Sequence, residues 1–124
     1  MSVGFYIEQL GAVQAHVFTS SDDVAVDAWA GALASVIDTT PPDLQFRVLM
    51  DVSARQVNFT AYARQTTQRL FSHYRQRRGK IAFLFTSRTA PFYSRLFFAS
   101  LGRLAFDLNA FSDRQAALEW LNRA

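Results

Sequence analysis

The sequence predicts an α/β domain. Its sheet is mixed and mostly parallel, with about five strands and about four helices in the order β-β-α-β-α-β-α-β-α. Three observations lead to this. First, Ala12 to Phe18 alternates, with Val13, Ala15 and Val17 on one side and Gln14, His16 and Phe18 on the other, the period of a strand. Second, Ile81 to Phe85 (IAFLF) is apolar without interruption, as in a central strand covered on both faces. Third, the later strand patterns alternate with helical ones over short connections, which demands right-handed crossovers.

Each element has a local reason. Phe5 to Leu10 reads as a short strand ended by Gly11, so the first two strands form a tight hairpin. Ser20 or Ser21 offers a helix cap, and Asp22 and Asp23 suit the positive end of the helix dipole. Ala25, Trp29, Leu33 and Val36/Ile37 then recur at helical spacing, and the helix must stop before Pro41. Thr39-Thr40-Pro41-Pro42-Asp43 is a stiff connection, and Phe46 to Asp51 (FRVLMD) a buried strand. After a polar loop, Val52 to Val57, Asn58 or Thr60 caps a second helix with apolar positions at Phe59, Tyr62/Ala63, Thr66, Leu70 and Tyr74. Arg75 to Gly79, basic residues followed by glycine, marks its end. Pro91 fits the first position of a third helix with Thr89 as cap, running to about Leu101. Ala105 to Phe111 is a weaker last strand. Ser112 and Gln115 make a capping box for a final helix that buries Ala117, Trp120 and Leu121.

Composition bounds the function. The 124 residues are 50% hydrophobic and 15% aromatic, enough for one domain with its own core. Cysteine is absent, which excludes disulfides, a thiolate nucleophile and cysteine-ligated metal. No apolar run approaches the ~20 residues of a membrane span, and Met1 to Leu10 lacks the features of a signal peptide. A soluble cytoplasmic protein is expected. Charge is divided unevenly. Residues 1–63 carry seven acids and two bases, net −5; residues 64–124 carry eleven bases and three acids, net +8. All the bases except Lys80 are arginine, and no acid falls between Arg64 and Arg103. Such a half could meet phosphate or an acidic partner. The plainer expectation is that it folds back on the acidic half. Nucleic acid is disfavoured, because no stacking platform or known motif accompanies the charge.

No catalytic constellation is visible. There are no paired acids, HExxH, glycine-rich phosphate loop or GxSxG elbow. His16 and His73 lie within a strand and a helix, where packing or solvent is the usual role. The sequence therefore argues for a protein that is not an enzyme and needs neither cofactor nor metal. In open α/β sheets ligands gather outside the carboxyl ends of the strands. The ligand or switch candidates at that edge are Asp51, Ser53, Asn58, Thr60, Ser87 and Arg88. Asp51 can equally cap its own loop by accepting backbone N–H bonds.

The third helix is unusual. Phe92, Tyr93, Leu96, Phe97, Phe98, Leu101 and Leu104 cover more than one stripe, so it needs burial on two sides. Phe92, Tyr93, Phe97, Phe98 and Leu101 are the interface candidates for a homodimer. A pocket for an apolar ligand beneath the helix is the alternative.

Three segments carry a family resemblance: Val48-Leu49-Met50-Asp51-Val52-Ser53, Ile81-Ala82-Phe83-Leu84-Phe85, and the tail Ala110 to Leu121 with its F-x-D-x-x-x-A-x-x-W-L pattern. Together they resemble the STAS superfamily, in particular stand-alone anti-sigma-factor antagonists of the stage II sporulation protein AA type and related STAS/Sec14-like bacterial proteins. The resemblance covers nearly the whole chain and implies a STAS-like fold with a habit of binding protein partners. The antagonists carry a phosphorylatable serine in an Asp-Ser-Ser-Gly segment at the start of the second helix. Here Val57-Asn58-Phe59-Thr60-Ala61 stands in its place. Asn58, near the serine position, cannot be phosphorylated, and Thr60 is the nearest hydroxyl. Two readings follow: an interaction module that binds itself or a protein partner, or a carrier or sensor of an apolar or anionic small molecule.

Overall fold

The computed structural model describes residues 3–54, 57–87 and 90–123, with backbone alone for Pro91 and Tyr93. Five strands form one sheet in sequence order: β1 (Phe5–Leu10), β2 (Val13–Phe18), β3 (Phe46–Asp51), β4 (Gly79–Leu84) and β5 (Asp107–Phe111). β1 is antiparallel to β2, and the other neighbours are parallel. The helices are α1 (Asp23–Thr39), α2 (Ala61–His73), α3 (Ala90–Ala99) and α4 (Arg114–Asn122). This is the expected mixed α/β order. Gly11, at φ +64°, turns the opening hairpin.

Because strand side chains alternate, the sheet has two separate cores. On one face Phe18, Val48, Met50, Ile81 and Phe83 meet α1 and α2, through Trp29, Leu33, Ile37 and Phe71. Phe98 of α3 packs on the edge of this cluster. On the other face Val13, Ala15, Val17, Leu49, Ala82 and Leu84 meet only α4, through Ala117 and Leu121.

Several local expectations are corrected. Asp22, not a serine, caps α1, accepting from Ala25 N at 3.0 Å. Of the two caps offered for α2, Asn58 and Thr60, it is Thr60 that serves, accepting from Ala63 N at 3.0 Å. Asp113 caps α4, accepting from Ala116 N at 3.1 Å, so the Ser112–Gln115 box does not form. Gly79 is the first residue of β4 and not a helix cap. A Cβ there would lie 2.5 Å from the Phe46 ring, its cross-strand neighbour, so close approach and not a turn demands the glycine. α3 ends at Ala99, before Leu101, and β5 begins at Asp107. Phe71, absent from the expected apolar positions of α2, is that helix's most deeply buried aromatic, in contact with Trp29, Phe83 and Phe106. The proposed cap Thr89 lies outside the described residues.

Candidate ligand cavity and strand edge

α1, α2 and α3 do not close over the sheet. Between them lies a cavity of about 880 Å³, within the usual range for small-molecule sites. Phe18, Met50 and Phe83 line it from the sheet, Val26 and Trp29 from α1, Ala63 and Thr67 from α2, and Phe97 and Phe98 from α3. The loop before α2 contributes Val57, Asn58 and Phe59. Phe59 meets Phe97 edge-on at 5.0 Å, joining that loop to α3. Arg64 is the one charged residue lining the cavity among the described residues. It is exposed, with its guanidinium 5.8 Å from the Phe59 ring centroid. The walls are thus apolar, and the polar side chains Asn58, Arg64 and Gln68 are all exposed to solvent.

The carboxyl edge of the strands is mostly committed to internal bonds. Ser53 donates its N–H to Asp51 Oδ1 at 3.0 Å and its hydroxyl to the same oxygen. Thr86 Oγ1 donates to Ser53 O. Arg114 stands 3.5 Å from Asp51 Oδ2 and 3.0 Å from Glu8 Oε1. Asp51 therefore caps its own loop and pairs with α4. The Thr60 and Asp22 side chains already serve the free N–H groups at the starts of α2 and α1, where an anion would otherwise sit. Of the other edge candidates, Asn58 lines the cavity, Ser87 is exposed, and Arg88 lies outside the described residues.

The interface candidates separate, and Leu96, which is not one of them, joins Phe92 on the outer side of α3. Phe92 and Leu96 are 62% and 61% exposed and lie one turn apart on α3. Phe97 and Phe98 are half-buried at the cavity, with Phe98 5.0 Å from Phe83. Leu101 packs against the core, and the Tyr93 side chain is outside what the structure describes.

The basic half does reach back to the first half. Arg77 donates to Ile37 O and Thr40 O at 2.9 and 2.6 Å, and Arg114 spans Glu8 and Asp51. Lys80 is buried, yet its ammonium donates to Trp120 O and Arg123 O at 3.1 and 2.9 Å and lies over the Trp120 ring. Tyr62 donates to Asp27 and Tyr74 to Asp38, tying α2 to α1.

A pocket beneath the third helix is legible in the sequence, but its walls are not. Trp29, Met50 and Phe83 carry ordinary core patterns. Only the distance between layers makes them a lining, and no residue pattern reports that distance. No group of three or more metal-ligating side chains exists among the described residues, and no helix there is long and apolar enough to cross a membrane.

The fold is a SpoIIAA-like α/β fold. A solved neighbour is an uncharacterised protein of the DUF3478 family with a SpoIIAA-like fold, from Shewanella loihica PV-4. It shares 14% identity with this chain, covering 94% of it and 91% of the neighbour, at a TM-score of 0.64. No family model matches the sequence, and no curated protein does.

Proposed function

We propose that the protein is a non-catalytic module that binds a small apolar molecule in the cavity beneath α3, as a carrier or sensor. The observation behind this reading is the cavity itself: about 880 Å³, walled mainly by aromatic and aliphatic side chains, with Asn58, Arg64 and Gln68 exposed to solvent. A cleft of this size with mostly apolar walls keeps apolar surface in contact with water, and an apolar occupant would cover it. Ala63 lines the cavity as a small side chain on α2, so enlarging it should fill the space and leave the fold intact.

The experiment is titration with Nile red, an uncharged dye that fluoresces in apolar surroundings. Wild type should bind one dye per chain, and Ala63→Phe should weaken binding at least about tenfold with an unchanged melting temperature. Binding without a defined stoichiometry, or binding indifferent to Ala63→Phe, would overturn the reading. Exposed Phe92 and Leu96 favour a second reading, self-association through the outer stripe of α3. Native mass spectrometry of freshly purified protein separates the two. A carried ligand adds a small mass, whereas self-association doubles the chain.

A further inference from the structure

Taking the cavity as a ligand site, as above, we infer that its occupant carries an uncharged hydrogen-bond acceptor within its apolar body, and that Trp29 donates to it. The class is a ketone, ester or ether of otherwise hydrocarbon character. Trp29 lines the cavity, is 2% exposed, and its indole Nε1 has no hydrogen-bond partner among the described residues. An indole N–H can only donate, and leaving a buried donor unmet costs more than an ordinary hydrogen bond gains. Its ring neighbours, Phe18 and Phe71, supply no lone pair. Thr67, the other buried polar residue on the wall, already donates its hydroxyl proton to Ala63 O at 2.7 Å.

The same wall decides against a charged acceptor. A carboxylate drawn to Trp29 would lose its hydration and meet one neutral donor, a poor exchange for a buried charge. Arg64, the single cation among the described lining residues, stays exposed to solvent. A neutral oxygen loses far less hydration and is satisfied by one N–H. The site therefore discriminates between molecules of equal shape by one atom, an oxygen that can accept where a methylene cannot.

Two probes differ by that atom: 2-tridecanone, and 2-methyl-1-tridecene, in which a terminal methylene replaces the carbonyl oxygen. Both compete with Nile red for wild type and for Trp29→Phe, which keeps an aromatic ring but removes the N–H. The ratio of ketone to alkene affinity should fall about fivefold in the variant, the size of one ordinary hydrogen bond. Trp29→Phe changes the cavity's shape alike for the two probes, so the ratio isolates the N–H. If Trp29→Phe does not fold, benzothienylalanine at position 29 in a Trp120→Phe background keeps the indole's shape with sulfur in place of N–H. It should give the same fall, while Trp120→Phe alone keeps the wild-type ratio. If both probes bind and their ratio ignores the change at position 29, this inference is overturned and the cavity reading stands. If neither probe displaces the dye, the cavity reading fails with it.

Discussion

On one face of the sheet Ala15, Ala82 and Ala117 are small enough for the α4 backbone to come close to β2, β3, β4 and β5. On the opposite face large aromatics fill the gap between layers. The α2 backbone stands near α1 and not near the sheet, and α3 approaches chiefly β5. Alternate residues of the same strands thus build a closed layer and a hollow one. Small side chains allow full interdigitation, whereas bulky rings at unequal heights hold helices apart. Polar groups follow the same division. The closed face buries Lys80 with its ammonium bonded to two carbonyl oxygens. Among the described residues the hollow face leaves His16 Nδ1, Trp29 Nε1 and Thr66 Oγ1 without partners, and Gln45 Oε1, just before β3, is the one such atom elsewhere.

The largest test of that contrast is acid. His16 sits on β2 beside Phe5, fully buried, with Nε2 2.7 Å from Gln14 Oε1. Burial lowers its pKa from 6.5 to about 4, because the charged imidazolium has lost its water. The unfolded chain then binds a proton more readily than the folded one between those values. The stabilisation is complete above about pH 6.5 and is lost as pH falls toward about 4. At about 1.36 kcal/mol per unit that is roughly 3 kcal/mol. Urea unfolding of wild type and His16→Leu at pH 7 and 4.5 measures it. Between those two pH values wild type should lose about 2 kcal/mol more than the variant, and equal losses would show that the imidazole is not held neutral.

How far the sequence could be read follows from the same contrast. The hairpin, the α1 stripe from Ala25 to Ile37 and the buried IAFLF strand are local patterns, and each stands where its pattern put it. Gly79 was misread because a glycine after basic residues looks like a helix end. Its true reason is the Phe46 ring across the ladder, more than thirty residues away in sequence. Asp51 could be placed at a strand end, but its partner Arg114 belongs to another element. The cavity walls depend on how far α2 and α3 stand from the sheet. That distance is a property of packing and leaves no periodic trace.

A matched pair of substitutions gives the next test. Ala117→Phe forces a ring into the closed layer against Leu49 and Ala82, and overpacking of this kind costs about 1–3 kcal/mol. Ala63→Phe places the same ring in the cavity, where the change should stay within about 0.5 kcal/mol. Thermal and urea unfolding of both variants decide it. Equal costs would mean that the two layers are packed alike.

The smallest expected effect concerns what keeps α4 on its face. Arg114 reaches Glu8 on the edge strand and Asp51 at the end of β3, so the helix could be pinned by charge as well as by packing. The arginine and Glu8 side chains are 42% and 47% exposed, and pairs in such contact with water contribute about 0–1 kcal/mol. Asp51 keeps its Ser53 bonds without the arginine. Arg114→Met retains much of the aliphatic stem and removes both pairs. It should cost under about 1 kcal/mol, with the difference from wild type shrinking further as salt is raised. A loss of several kcal/mol that persists at high salt would show that charge, and not the fit of Ala117 and Leu121 into the alanine-lined sheet, fixes α4 in place.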